Sequence, residues 1–472
     1  MSFGINRLII LAIIINFSIF ADEEISTLYL DLEKAEDIGI ENSPELKMIG
    51  SQQKIKKLLV NENWRQYFPT ASIRWDRSSS IIENTADSRN QRFTLNVDQV
   101  VYDGGRRSLA LDASLGELAL AKYDVKIALN KLRFKIRTLF FSILSKKSQL
   151  ITLERSIKRQ SDQLFYANRE LQLGETTKIK VLELENRLNE IILQEKTARI
   201  DYESQIQEFK ILLRLKSSSE IKLIGNILGD VNYNYRNFDG ENLINLASNF
   251  RVEFDKARAE HLQTQSKYKY AQTFYIPTVS VGGFHGYRGD EYPPREREYG
   301  FNFRVSMLLG PNSLQDTGNY TSRNENNDRF LTSSTTLGIY DNLQYQREIV
   351  TSGNAAYQAK VNLNQIGDII ASEVKKSLNS YRVSWDAMKQ ADENVILFEK
   401  RIQIKEEQVR LGEAPRTELA ETEIRYLEAT NAQIASRLRF MSSIAELELA
   451  TGLSLDQLGL IKFGEVLPIE KN

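Results

Sequence analysis

The sequence contains no cysteine and only two histidines. Without cysteine the chain forms no disulfide, no thiolate metal site, no cysteine nucleophile and no lipid-modified N-terminal cysteine. The histidines, His261 and His285, lie apart and no carboxylates cluster around them, while Gly104-Gly105 lacks the further glycines and the Lys-Ser/Thr of a phosphate-binding loop. We therefore expect a protein without catalytic activity and without a cofactor or bound metal.

Proline is also scarce, with eight in 472 residues, and neither basic nor acidic residues are in clear excess. Because proline punctuates compact modules, its scarcity over long stretches predicts uninterrupted elements and an elongated architecture. The 62 basic residues nearly balance the 63 acidic ones. Hence no global charge points to nucleic acid or to an anionic membrane surface, and we expect no nucleic-acid partner.

The N-terminus has the order of a secretory signal peptide, which we place at residues 1–21. Arg7 precedes an apolar run at 8–20, and Ala21 is followed by three acidic residues. The run is short for a membrane-spanning helix, which needs about 20 apolar residues, although an uncleaved anchor is the alternative. No other segment is apolar enough for such a helix. An exported chain of this kind is either soluble or crosses a membrane as β-strands.

The chain repeats itself internally. The segment YFPTASI at 67–73 recurs as YIPTVSV at 275–281, an offset of 208, and the same offset pairs the alternating apolar residues that follow. Further along, the turns Leu-Gly-Glu at 173–175 and 411–413 are paired by an offset of 238. The difference between the two offsets places an insertion at 310–339. Since this segment is rich in Asn, Ser, Thr and Gly, we predict a loop there, and an extra element near the membrane is the alternative.

Both halves follow one plan, in which two alternating strands lead into a very long helix that turns into a second helix. The predicted first repeat covers 22–238, with strands at about 70–79 and 92–102 and long helices at about 105–215. The predicted second repeat covers 239–465, with strands at about 276–286 and 299–309 and long helices at about 342–452.

The junction between strand and helix is marked by Asp103, Gly104 and Gly105, with Asp341 at the matching place in the second repeat. Glycine supplies the backbone freedom that a change from strand to helix requires. The helices beyond have coiled-coil spacing, and each half buries a different stripe. In the second half the predicted seam comprises Ile424, Leu427, Ile434, Leu438, Met441 and Ala445.

Four strands cannot close a membrane barrel, because even the smallest use about 8 strands and an open edge in lipid is costly. The chain must therefore oligomerise, and a trimer would supply twelve strands. The rival interpretation is an exported periplasmic coiled-coil protein, either a structural rod or an adaptor. An adaptor would be expected to have one helical hairpin flanked by small β-domains, whereas this plan is duplicated.

The chain resembles the TolC-like outer membrane factors, or outer membrane efflux proteins, over essentially its whole mature length. The resemblance lies in the duplicated Tyr-x-Pro-Thr, the Tyr-Asp-Gly-Gly junction, the two Leu-Gly-Glu turns and Leu-Ala-Thr-Gly at 449–452. The order, spacing and duplication of these motifs are specific, although no single motif is. The implied fold is mainly α with β: a duplicated α-helical coiled-coil barrel below a trimeric twelve-stranded transmembrane β-barrel, four strands per chain.

The resemblance also implies a function and partners. It implies a homotrimeric duct, embedded in the outer membrane lipid of a diderm bacterium and extending into the periplasm. Such a duct works with a periplasmic adaptor (membrane fusion) protein and an inner-membrane transporter of the RND or ABC class. It is the exit of a tripartite efflux pump or a type I secretion system.

Three sets of site residues follow from the resemblance. Adaptor docking is expected at the two helical turns, which comprise Leu173, Gly174, Glu175, Leu411, Gly412 and Glu413. The alternative is that these residues only form the turns and bind no partner. Glu418 and Glu421 match acidic positions of the narrow entrance, and three copies would form a cation-binding ring; a solvated acidic face is the alternative. The family's gate residues are replaced by Val409, Ala414 and Lys180, which leaves Lys178, Lys180 and Arg416 as polar candidates.

Overall fold

A computed structural model describes residues 27–80, 88–229, 235–323 and 328–458. The predicted signal peptide lies outside the described residues. Within them the chain is mainly helical, and its strands form one large sheet and one small two-stranded sheet. Two very long helices, α3 (Arg106–Gln172) and α7 (Gln344–Arg410), run through the molecule. At 1.5 Å per residue, each is about 100 Å long.

The remaining helices pack alongside these two or cover the middle of their length. They are α1 (Leu32–Asn42), α2 (Pro44–Arg65), α4 (Lys178–Leu213), α5 (Gly240–Phe250), α6 (Val252–Gln272), α8 (Arg416–Thr451) and α9 (Leu455–Leu458), with a 3₁₀ turn at Thr273–Tyr275. The strands are β1 (Leu28–Leu30), β2 (Thr70–Ser80), β3 (Ser88–Tyr102), β4 (Ile221–Leu223), β5 (Thr278–Gly289), β6 (Glu296–Leu309), β7 (Asn312–Arg323) and β8 (Arg329–Gly338).

The largest hydrophobic core lies at the middle of the long helices, where both repeats meet. Ile136 and Phe140 of α3 and Tyr381 of α7 are buried there, with Phe209 and Phe440 from the returning helices α4 and α8. The short helices α1 and α5 and the parallel pair β1–β4 cover this level. Because large apolar side chains from four long helices converge, burial at this level fixes their relative positions.

On either side of this core the long helices form open layers. Towards the large sheet the neighbours follow the order α2, α3, α6, α7, and towards the other end they follow α4, α3, α8, α7. The predicted seam of α8 lies in these contacts: Leu427, Ile434, Met441 and Ala445 are buried. Ile424 and Leu438 are partly buried against the same clusters. No helix in the described part of the chain has both the length and the apolar character to cross a membrane.

The large sheet is antiparallel throughout, in the order β2-β3-β5-β6-β7-β8. Its register places apolar residues opposite each other, for example Trp75 against Phe93 and Ile73 against Leu95. In strands, alternate residues point to opposite faces, so these side chains share one face of the sheet. That face is exposed in a single copy: Ile73 is 70% exposed and Phe301 is 61% exposed.

Two predictions about this sheet are wrong. The insertion at 310–339 is not a loop but contains the hairpin β7–β8, so one copy has six strands in its large sheet rather than four. The total of twelve strands for three copies, which depended on four, no longer follows. Polar residues on both faces of this hairpin gave no alternation to detect. Its strands are instead held by backbone pairing, with Asn319 opposite Asn302 on β6 and Thr332 on β8.

Candidate functional site

The far end of each helical hairpin is a tight turn at one of the predicted Leu-Gly-Glu motifs. At the first turn Gly174 has φ +76°, its N–H donates to the Leu171 carbonyl, and the Glu175 N–H donates to the Glu170 carbonyl at 2.8 Å. These two bonds define a Schellman motif, which satisfies helix-end carbonyls and favours glycine at the left-handed position. Leu173, just before the glycine, is 73% exposed.

The second turn repeats this geometry closely. Gly412 has φ +74°, its N–H donates to the Val409 carbonyl, and the Glu413 N–H donates to the Gln408 carbonyl at 2.8 Å. Leu411 is 62% exposed. Neither Gly174 nor Gly412 has a heavy atom within 4 Å of where a Cβ would lie. Each tip therefore offers open backbone and one exposed leucine, an arrangement suited to contact with a partner.

Next to the tips, Arg416 joins the two repeats within one copy. Its guanidinium at the start of α8 bonds to the Glu170 carboxylate of α3 and to Gln163 Oε1, and it lies 4.8 Å from the centre of the Tyr166 ring. The other gate candidates, Lys178 and Lys180, are exposed at the start of α4. The structure therefore places Arg416 in an intrachain contact between repeats, whereas the two lysines are exposed.

The two carboxylates of the expected acidic ring lie on the first turns of α8 and are about half exposed. Glu418 accepts from Lys405 Nζ at 2.8 Å, and Glu421 accepts from Arg425 at 3.1 Å. Each negative charge thus has a basic neighbour in its own copy. Among the described residues, no group of three or more His, Asp or Glu side chains is arranged to hold a metal ion.

Sequence reasoning missed a buried carboxylate close to these residues. Glu423 is only 1% exposed, between α8 and α3, where it accepts from Gln160 Nε2 at 2.8 Å and from Gln163 Nε2 at 3.4 Å. Burial raises the pKa of the Glu423 carboxyl to about 7, partly opposed by the charge of Arg159. This carboxyl therefore changes its protonation near neutral pH, unlike an ordinary glutamate.

The signal that could have revealed Glu423 is its spacing. It lies four residues after Leu419 and four before Leu427, both buried, so it occupies the same helix face. The surrounding glutamates made it read as part of a solvated acidic face instead. A single acidic residue within an apolar stripe is easily hidden by acidic neighbours on other faces of the helix.

The strand-to-helix junction of the first repeat is compact. The Asp103 carboxylate is buried and accepts from the backbone N–H groups of Gly105 and Arg107, at 3.1 and 3.0 Å, and from Arg107 Nε at 2.7 Å. Gly104 and Gly105 have φ values of +62° and +84°. A Cβ on Gly104 would lie 2.1 Å from a side-chain carbon of Ile276. Glycine is thus needed here for both backbone conformation and space.

The second junction is built differently. The Asp341 side chain accepts from the Ser313 N–H at 2.9 Å and from the Ser313 hydroxyl, and the Tyr340 N–H donates to Asn312 Oδ1 at 2.9 Å. Tyr340 has φ +54°, so the left-handed residue precedes the aspartate instead of following it. The predicted match of the two aspartates therefore covers their position in the chain but not their contacts.

Comparison with known proteins gives matches in structure only. Neither protein-family models nor curated proteins match this sequence. The CmeC outer membrane channel of Campylobacter jejuni superposes with a TM-score of 0.71 at 15% identity, covering 89% of this chain and 85% of that one. VceC of Vibrio cholerae gives a TM-score of 0.72 at 14% identity, covering 90% and 96%.

The open state of the MtrE outer membrane channel of Neisseria gonorrhoeae gives a TM-score of 0.73 at 12% identity, covering 90% of this chain and 89% of that one. Identities this low carry the fold and leave individual residue roles open. The superpositions nevertheless cover about nine tenths of this chain. The chain has the fold of the TolC-like outer membrane channels.

Proposed function

We propose that this chain is the subunit of a passive outer-membrane channel that forms the exit duct of an efflux or secretion assembly. The observation that carries this proposal is the large sheet, which exposes an apolar face along β2, β3, β5 and β6 and ends in two open edges. Trp75, Ile73 and Phe301 on that face would contact water in a single copy. Outer-membrane walls present such an apolar face to lipid.

The assembly is a homotrimer extending into the periplasm. At the sheet-proximal end of one copy, the outer helices α2 and α7 have apolar residues without a partner helix. These include Met48, Ile55 and Leu58 on α2, and Val350 and Tyr357 on α7. Their spacing of seven or three residues is that of a helix-packing stripe. Packing α7 of one copy against α2 of the next would bury both stripes and close a ring.

The helical tips are the surfaces where a periplasmic adaptor docks, linking the duct to an inner-membrane transporter. The exposed leucines Leu173 and Leu411, held beside open Schellman turns, support this assignment. The channel itself performs no catalysis. Near the tips, Glu418 and Glu421 from three copies form an acidic ring at the entrance. Lys405 and Arg425 partly neutralise the negative charge of this ring.

The proposal is tested by membrane fractionation together with conductance. We expect the chain to remain in the outer-membrane fraction after carbonate extraction and to give ion-conducting steps in planar bilayers after purification in detergent. The rival assignment, a soluble periplasmic structural or adaptor protein, predicts complete release by carbonate and no conductance. Either of those results would overturn the proposal that the chain is a channel subunit.

A further inference from the structure

We propose that β8 is the strand that joins one copy to the next, by pairing with β2 of the neighbouring copy. Each copy then contributes six strands, and three copies close a wall of eighteen. This inference rests on the proposed function, because it concerns how the wall of the channel closes. It differs from a wall in which β6 meets the neighbour and the hairpin β7–β8 lies outside the sheet.

The hairpin is fastened to the sheet at its far end by charge. Glu298 on β6 is 3% exposed, and its carboxylate bonds to Arg92 Nε on β3 at 2.9 Å. The same carboxylate lies 3.5 Å from Arg323 Nε at the end of β7. One buried carboxylate on β6 is thus close to two arginines, one from β3 and one from β7, and so links the hairpin to the rest of the sheet. Removing β7 would leave the buried negative charge of Glu298 with one neighbouring arginine instead of two.

The hairpin is fastened at its near end through the helix junction. Ser313, the second residue of β7, donates its backbone N–H and hydroxyl to Asp341, and the Asn342 N–H donates to the Pro311 carbonyl at 3.1 Å. The start of α7 is therefore bonded to the turn that begins the hairpin. Moving the hairpin out of the sheet would break the junction that positions α7.

With the hairpin in place, the free edges are β2 and β8. Both are exposed along nearly their whole length, whereas β6 is paired with β7 from Glu298 to Leu309. The six strands alternate in direction, so β2 and β8 run antiparallel to each other. Unpaired backbone groups at an edge readily accept another strand, and an antiparallel partner continues the same pattern. A second copy supplies that strand.

The width of the wall agrees with six strands. Four helices side by side, at about 8 to 10 Å between axes, span about 32 to 40 Å. Six strands at about 4.8 Å, tilted by about 40°, span about 38 Å, whereas four would span only about 25 Å. With these ideal dimensions, a six-stranded sheet is about as wide as a layer of four helices. Since β8 leads into α7 and α2 leads into β2, the edge strands of the sheet continue into the outer helices of the layer.

The natural absence of cysteine makes disulfide scanning a direct test. One cysteine replaces Arg74 on β2, and a second replaces, in turn, Thr332, Ser334 or Thr336 on β8, which share the polar face of the sheet with Arg74. The matched series keeps Arg74→Cys and places the second cysteine at Asn302, Arg304 or Ser306 on β6. Products from oxidised outer membranes are read as covalent trimers on denaturing gels.

We expect covalent trimers from at least one β2–β8 variant and none from the β2–β6 series. Within one copy, the pair Asn302→Cys with Asn319→Cys should oxidise without forming trimers, because these residues face each other on β6 and β7. Trimers from the β2–β6 series would overturn the inference and leave the channel standing. Membrane-inserted protein that crosslinks in neither series would also overturn it. Protein that is soluble and uncrosslinked would instead overturn the proposed channel.

Discussion

The two strand-to-helix junctions of this chain occupy matching places in the repeats but use opposite designs. At the first, Asp103 is buried and bonds forward into the helix it precedes, to Gly105 and Arg107. At the second, Asp341 is exposed and bonds backward to Ser313 at the start of the β7–β8 hairpin. One aspartate caps a helix, and the other anchors an additional pair of strands.

This difference shows how a duplicated fold accommodates an insertion. The hairpin adds two strands to the sheet without lengthening the helices, and both long helices have 67 residues. The two tips also keep the same Schellman geometry. The change is confined to the sheet and its junction, because strands can be added at an open edge whereas packed helices cannot be added so simply.

The largest effect is expected at the first junction, for Gly104→Ala. The substitution forces a side chain into a left-handed backbone and places its Cβ 2.1 Å from Ile276, at a combined cost of about 3 kcal/mol. We expect a marked loss of trimer and a lower apparent melting temperature in detergent. Gly105→Ala is the control: its φ is also positive, but no atom lies within 4 Å. Equal loss in both variants would contradict the role of space at Gly104.

Asp103→Ala and Asp341→Ala compare the two aspartates directly. Loss of Asp103 removes the carboxylate that accepts from the first turn of the helix and leaves the partly buried Arg107 without its ion-pair partner, at about 2 to 3 kcal/mol. Loss of Asp341 removes bonds at an exposed site, at about 1 kcal/mol. Limited proteolysis should show increased cleavage near residue 105 in the first variant and within the 310–343 region in the second. Similar cleavage patterns would show that the junctions do not differ as described.

The second repeat also differs from the first in its buried carboxylate. By the offset of 238, Glu423 corresponds to Glu185, which is exposed on α4. Because the pKa of Glu423 is raised from 4.5 to about 7, the folded state favours the protonated form, so stability falls as pH rises from about 4.5 to 7 and stays low above that.

Glu423→Gln should remove this pH dependence and stabilise the protein at pH 8.5, by about 2 kcal/mol per chain. The control, Glu185→Gln, should leave both the stability and its pH profile nearly unchanged, because the side chain is exposed. Melting curves at pH 5 and pH 8.5 give both quantities. A wild-type protein equally stable at both pH values, with no gain from Glu423→Gln, would contradict the raised pKa.

The smallest effect is expected on the outward face of the hairpin. Asp316 lies on the same face as Val305 of β6, its cross-strand partner, and accepts from Thr335 Oγ1 at 2.8 Å. On a lipid-facing wall a leucine is better tolerated than this carboxylate, so Asp316→Leu should raise trimer stability by about 1 kcal/mol. Gln315→Leu, on the polar face, is the control and should not stabilise. A destabilising Asp316→Leu would argue that the hairpin faces water on both sides.

Sequence reasoning reached the repeated helical plan because long helices leave a strong periodic signal. The tips were equally accessible, since Gly174 and Gly412 combine a left-handed residue with the ends of periodic segments. The hairpin was not, because polar residues lie on both of its faces, interrupting the apolar pairs Leu314–Leu337 and Tyr320–Leu331, and its composition resembles that of a loop. Glu423 escaped for a related reason, as its burial depends on α3, which packs on α8 from more than 200 residues away in the sequence.

The central claim is that one copy is an incomplete piece of wall. The mass of the detergent-extracted protein, measured by native mass spectrometry, tests it most directly. We predict a single species of three mature chains that precipitates when detergent is removed. A folded, single-copy species that remains dissolved in water without detergent would contradict the claim.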